Sequence, residues 1–363
     1  MIRILQCVNN MHRAGLETLL MNYYRNIDRT QIQFDFLTHR PERSDYDDEI
    51  ESLGGKIYRA PRLYPQNYPA YFAYMKRFFA EHPEYTIVHS HIDAMSCLPL
   101  LAAKRAGVPV RIAHSHNTAI DLDFKYPLKQ IFRYGLRSAA NRFAACGREA
   151  GKFLFGNKEF VVIPNAVDAA RFSFDQTVRE QVRKEMALED AFVVGHAGRF
   201  AYAKNHEFLL EIFKAFLKQK ANAVLLLAGT GEKEEKIRQL AKDLQIADRV
   251  RFLGSRSDMD RLYQAMDVFV MPSKFEGIPV VGIEAQFAGL PCVFSDRVPK
   301  EVMFTDQCCF VELHRKAEAW AEWIVKAENP NRGEGITDPS VYDIRHACRT
   351  LEAYYMEMSY EKV

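Results

Sequence analysis

Two carboxylates, Glu276 and Glu284, bracket the stretch P-S-K-F-E-G-I-P-V-V-G-I-E at a spacing of eight residues. Carboxylates accept hydrogen bonds from hydroxyls but cannot themselves hold phosphate. Between them, Gly277 lets the backbone approach a ligand closely, and Pro279 suits the first position of a helix. The N–H groups and positive dipole end of such a helix start form an anion cradle. Two cations elsewhere extend this chemistry. Arg199 and Lys204 lie five residues apart in G-R-F-A-Y-A-K-N and offer a forked donor and a point charge, a pair suited to a diphosphate with no metal present. Together these residues suit a ligand that carries both hydroxyls and phosphate. The plain alternative for each is a solvated loop charge.

Four histidines occupy two short loops, His89-Ser90-His91 and His114-Ser115-His116. Their two-residue spacing is expected to send the rings to opposite faces of an extended chain. With no Cys or carboxylate completing a ligand pattern, that expectation argues against a metal. Hydrogen bonding is the default role for most of these rings, with at least one of them touching a substrate. Two D-x-D triplets, Asp121-Leu122-Asp123 and Asp258-Met259-Asp260, are read as structural, because acids are favoured in a first helical turn such as the one expected after Ser257. No metal site is expected.

The elements that must position these residues alternate in type. Strand-like runs at 2–8, 32–38, 56–59, 86–89, 108–113, 142–146 and 160–163 interleave with helical patterns at 16–26, 68–81, 93–106 and 126–139. The pattern breaks at Pro164-Asn165-Ala166-Val167-Asp168 and restarts at Phe192, with strands at 192–197, 223–228, 250–253, 267–271 and 291–294 and helices at 205–219, 231–244, 258–265 and 280–288. Such alternation means crossover helices and mostly parallel sheets, whose ligands bind beyond the carboxyl ends of the strands. The expected fold class is α/β with two doubly wound domains, 1–170 and 171–342, and a terminal helical segment, 343–363. Gly15 after the first strand, and Gly229 with Gly231 in A-G-T-G-E, fall where ligand-facing turns belong.

Composition narrows the function classes. The chain has 363 residues, 48% apolar and 26% charged, so it can build two substantial cores. A net charge of +2 argues against a nucleic-acid binder. Seven cysteines without a C-x-x-C pair fit a reducing cytoplasm, and the first residues lack a secretory signal pattern. No uncharged apolar stretch is long enough to span a bilayer, so any membrane role must be peripheral. The segment 124–143 carries Lys125, Lys129, Arg133, Arg137 and Arg142 among Phe, Tyr and Leu residues, and reads either as an ordinary solvated helix or as a membrane-surface element.

These residues resemble the retaining glycosyltransferases of family 4, which have the GT-B fold. The most specific match is F-E-G-I-P-V-V-G-I-E, similar to that family's E-x7-E motif. G-R-F with K-N, P-N-A-V-D, A-G-T-G, V-R-F-L-G, H-S-H-N-T and R-A-G-L-E-T support it over essentially the whole chain. Ala14 departs from the family's usual double glycine, while Gly15 is kept. The resemblance implies two Rossmann-like domains facing across a cleft, an acceptor-binding N-terminal one and a donor-binding C-terminal one, with the terminal helix returning to the first. It implies that Arg199 and Lys204 hold the donor diphosphate, Glu284 the ribose hydroxyls and Glu276 the sugar hydroxyls. Backbone N–H groups from Gly277 through Ile278 and Pro279 to Val280 would support sugar and phosphate. Gly229 belongs to a matched glycine turn, Val250 to Arg256, including Leu253, would border a uracil, and Gly15 would sit opposite the diphosphate. His116, or less well aligned His114, would lie by the sugar C6 or the acceptor. The implied reaction is metal-independent, retaining transfer of a hexose or N-acetylhexosamine from a nucleotide sugar, with UDP-sugar the expected donor. The acceptor is a saccharide or a lipid-linked one at a membrane surface. A nucleotide-sugar epimerase or hydrolase, and a non-catalytic nucleotide-sugar-binding subunit, are the competing readings.

Overall fold

The computed structural model describes residues 1–119, 126–327, 332 and 340–360. The Asp121-Leu122-Asp123 triplet, Phe124 and Lys125 lie outside the described residues. The chain divides into two compact units, Met1–Ala166 together with the C-terminal helix Ile344–Tyr360, and Val167–Asp343. Val167 to Ala170 thus fall in the second unit rather than the first.

The first unit is a seven-stranded parallel sheet built from β1 (Ile2–Cys7), β2 (Ile32–Thr38), β3 (Ile57–Arg59), β4 (Ile87–Ser90), β5 (Val110–Ser115), β6 (Arg142–Ala145) and β7 (Val161–Val162), in the order β3-β2-β1-β4-β5-β6-β7. All seven residues of β2 are buried, as expected for a parallel strand covered on both faces. The terminal helix packs in this unit through Cys348, Leu351 and Tyr355, all buried. Glu352 accepts the backbone N–H of Asp28 at 2.7 Å. Arg142 and Phe143 belong to β6, as the strand-like run 142–146 has it, and not to the helix read over the basic segment 124–143; the helix Tyr126–Ala139 stops short of Asn141, whose side chain bonds the backbone of Pro109 and Arg111.

The second unit is a six-stranded parallel sheet of β8 (Phe192–Ala197), β9 (Ala223–Ala228), β10 (Val250–Gly254), β11 (Val268–Met271), β12 (Cys292–Ser295) and β13 (Cys308–Val311), in the order β10-β9-β8-β11-β12-β13. The helix His206–Leu217 buries Leu209, Leu210, Phe213 and Phe216 at helical spacing against the core, where Trp320 also sits. The helix Gln176–Glu185 has no counterpart in the sequence reading, since Val182 is its one buried residue and no apolar stripe marks it. β13 and the helix Ala317–Lys326 are likewise additions, the strand being short and half-buried over most of its length. In both units the chain runs outward from the first strand in one direction and then resumes on its other side. This creates a topological switch point between β1 and β4, and another between β8 and β11.

Candidate functional site

In the second unit, β8 ends at Ala197 and the chain turns through Gly198 and Arg199 to a short 3-10 turn, Tyr202–Lys204. Asn205 caps the next helix in a left-handed conformation (φ 57°, ψ 44°). Its Nδ2 donates to the carbonyl of Pro272 at 3.1 Å, and the Lys274 N–H donates to the carbonyl of Ala203 at 2.7 Å. These bonds stitch the corner after β8 to the corner after β11, across the switch point. On the same seam, Lys204 Nζ donates to Glu276 Oε1 at 2.7 Å, with 18% and 11% of the two side chains exposed. Two residues far apart in sequence are thus a tight ion pair at the strand ends.

The neighbouring corner is held by glycine. Gly229 has φ +136°, and a Cβ there would lie 2.1 Å from the carbonyl oxygen of Gly198, a contact no other residue could make. Its N–H donates to the carbonyl of Gly254 at 2.8 Å, so the ends of β8, β9 and β10 converge. β10 slips its register between Phe252 and Gly254, leaving Leu253 half-buried at this end. Arg256 is exposed and held by Asp258 at 2.6 Å. Asp260 is held by Arg171 at 2.7 Å. Both acids of the second D-x-D triplet therefore face arginines.

Arg199 sits on the same loop as Lys204 but stands differently. Its side chain is 71% exposed and reaches Glu232 at 3.2 Å. Glu284 is buried in the helix Val280–Phe287 and accepts the Tyr263 hydroxyl at 2.9 Å. Burial pushes its carboxyl up to about 7, while the Tyr263 bond and the Arg171 charge pull it back. Pro279 is the cap of this helix rather than its first residue, and its carbonyl accepts the Gly282 N–H at 3.0 Å. Having no N–H, proline cannot supply an amide to an anion cradle, which corrects its place among the expected backbone donors.

In the first unit, Gly15 opens the helix Gly15–Asn26, with space around the position of a Cβ. The histidines depart from expectation. Residues two apart on extended chain share a face, so the four rings come together rather than separating. His89 Nε2 lies 3.1 Å from His114 Nδ1, and His91 Nδ1 lies 3.0 Å from His116 Nε2. The rings of the two pairs lie against one another, with centroids 4.2 Å apart for His89 and His91, tilted by 34°, and 4.1 Å apart for His114 and His116, which stack. Nitrogens of His89, His91 and His114 all lie within 4.8 Å of one another, a grouping the spacing argument excluded. Burial holds His89, His91 and His114 well below the usual imidazole range and His116 down to about 3, which favours the neutral ring at each position. His114 is buried, whereas His116 is half-buried, with its backbone N–H donating to Asp93 Oδ1 at 3.0 Å. Of the two residues, only His116 keeps more than a trace of surface.

Sequence reasoning passed over Tyr263, Glu232, Gln6 and Tyr355. Gln6 carried a signal: it is a polar residue inside an apolar strand. The others had none, because their partners lie far along the chain.

Two parallel, doubly wound α/β units with polar groups gathered beyond the strand ends define the GT-B class of glycosyltransferases. Residues 13–171 match the family model described as Glycosyltransferase Family 4, and residues 178–331 match Glycosyl transferases group 1. EpsF of Bacillus subtilis (strain 168), named as a glycosyltransferase, is 35% identical over 91% of this chain and 88% of its own. The Escherichia coli UDP-Gal:alpha-D-GlcNAc-diphosphoundecaprenol alpha-1,3-galactosyltransferase is 29% identical over 59% of this chain and 58% of its own. The crystal structure of Anabaena Alr3699/HepE in complex with UDP superposes with a TM-score of 0.79 at 15% identity, covering 98% of this chain and 100% of that one. The chain belongs to glycosyltransferase family 4 and is a transferase of glycosyl groups.

Proposed function

We propose that this enzyme moves a hexose or N-acetylhexosamine from a UDP-sugar to a saccharide or lipid-linked acceptor in envelope polysaccharide synthesis, with retention at the anomeric carbon. The observation that carries this reading is the Lys204–Glu276 pair at 2.7 Å across the switch point of the second unit. An arriving diphosphate competes for Lys204 and leaves Glu276 to accept a hydroxyl of the transferred sugar. Arg199, exposed and loosely held by Glu232, turns to the same phosphates. The amides of Gly277, Ile278 and Val280 add partial positive charge. Glu284 accepts the ribose hydroxyls, and Leu253 and Arg256 border the base beside Gly229. The Escherichia coli relative, named for UDP-Gal, and the UDP in HepE support uracil.

The acceptor oxygen bonds to the anomeric carbon as the bond from that carbon to the phosphate oxygen breaks on the same face, and the leaving phosphate oxygen takes the acceptor's proton. The charge that develops on the diphosphate meets Lys204, Arg199 and the amides in place of a divalent metal. The helix Tyr126–Ala139 exposes Ile131 and Tyr134 beside Arg137, a face suited to an anionic membrane surface; among the described residues no helix is long and apolar enough to cross a membrane.

Thermal unfolding with UDP-, GDP- and ADP-sugars tests the donor, because a ligand that binds the folded state raises its stability. UDP-sugars should protect most, and equal protection by all three would defeat the uracil assignment. Transfer should persist in excess chelator; loss restored by magnesium or manganese would defeat metal independence.

A further inference from the structure

Gln6 is fully buried in β1, and its amide touches one half of the histidine array at His91 and reaches the other through Tyr355. Its Oε1 lies 2.8 Å from His91 Nε2, and its Nε2 donates to the Tyr355 hydroxyl at 3.2 Å. A carbonyl oxygen only accepts, so His91 carries its proton on Nε2. In a neutral ring that leaves Nδ1 bare. Since His91 Nδ1 faces His116 Nε2 at 3.0 Å, the hydrogen bond between them requires His116 to donate through Nε2–H. The Nδ1 of His116 is then bare in turn, and it has no hydrogen-bond partner among the described residues.

We propose that Gln6 is a positioning residue that locks His116 in its Nε2–H tautomer, so that His116 Nδ1 can only accept a hydrogen bond, from a hydroxyl of the sugar substrate. The identity of that hydroxyl rests on the glycosyl-transfer reading; the tautomer does not. Tyr355, on the C-terminal helix, anchors the far side of the amide, since its hydroxyl takes the Gln6 N–H and lies 2.6 Å from His89 Nδ1. Turned over, the amide would present an N–H to His91 and reverse both protons in that arm. His116 would then offer a donor. One buried amide therefore decides whether the ring reads a hydroxyl as donor or as acceptor.

A divalent cation is the rival occupant of this cluster, and one observation disfavours it. His89 Nε2 and His114 Nδ1 already face one another at 3.1 Å with their rings only 11° apart, which is hydrogen-bond geometry.

The test is 15N NMR of the full chain labelled at histidine, with the His116 signals assigned by their loss in His116→Asn. The unmutated protein should show a protonated Nε2 and a bare Nδ1 on His116. Gln6→Met keeps the side-chain length with only a weak thioether acceptor, and should give mixed tautomers and slow sugar transfer roughly threefold to tenfold, the worth of one ordinary hydrogen bond. Tyr355→Phe releases only the anchor of the amide. It should shift the same signals less, and it carries the spectroscopic test if Gln6→Met does not fold. A protonated Nδ1 on His116 in the unmutated protein, or signals that neither variant moves, overturns the lock. Mixed tautomers with unchanged transfer overturn the acceptor role. One equivalent of zinc per purified chain, lost in His89→Ala, overturns the proposal in favour of a metal site. Absence of transfer from every nucleotide sugar would defeat the enzymatic reading while leaving the tautomer result standing.

Discussion

The two units share the outward-then-back strand order, yet the groups crowded beyond their strand ends differ. The second unit gathers ions there: Lys204 with Glu276, Arg199 with Glu232, Arg256 with Asp258. The first unit pairs Arg59 with Asp47 at the end of β3 but gathers imidazoles at β4 and β5, linked in series through Gln6 and Tyr355. The same scaffold therefore carries two kinds of polar chemistry. Under the proposed function, the paired ions would exchange partners with a diphosphate, whereas the imidazoles would orient hydroxyls. Fold alone did not decide which; the residues at the turns did.

Acid should separate the units most strongly. His39, pushed down to about 4, joins the four rings of the array in binding its proton only after unfolding, where the ordinary value is 6.5. Their folded values are lowered, so their stabilisation is full above 6.5 and is lost as pH falls below it. Each ring costs up to about 1.4 kcal/mol per pH unit in that range. The second unit has two such rings, His196 and His206, pushed down to about 4 and about 2. Calorimetry between about pH 7 and 5 should therefore show the first unit's unfolding moving further than the second's. Equal movement of both would break the contrast.

Lys204→Ala should come next, with turnover falling about 10²-fold because charge developing on the leaving diphosphate loses a preorganised partner. Steady-state kinetics at saturating donor would measure it. A fall no larger than that of an exposed lysine such as Lys236 would remove the diphosphate assignment.

The smallest effect sharpens the contrast within the second unit. Glu284 has its carboxyl raised from 4.5 to about 7, so the folded state holds a proton that the unfolded chain releases. Its contribution is full below 4.5 and is lost as pH rises through about 7, opposite in sense to the histidines. Glu284→Gln should remove this fall, at most about 1.4 kcal/mol per pH unit, in denaturant titrations at several pH values. A variant with the same pH slope as the unmutated protein would show that the carboxyl is not buried as described.

What the sequence by itself determined was local. Apolar runs and helical stripes marked most strands and helices, because a parallel strand buried on both faces, such as β9, must be apolar throughout. The carboxylates eight apart, the Arg199 and Lys204 pair and the glycine turns were legible for a related reason: turn geometry and helix starts demand particular residues within a few positions. The family likeness rested on those same stretches. Only the tertiary structure decided the partners. Lys204 meets Glu276 across 72 positions, and Gln6 meets Tyr355 across 349, because strand order brings chain segments together regardless of their distance in sequence. It also gathered the four histidines that the spacing argument had separated, since side-chain direction along an extended chain repeats every second residue. Hydrogen bonds and ion pairs depend on ångström distances between such segments, and no local pattern of residues encodes those distances.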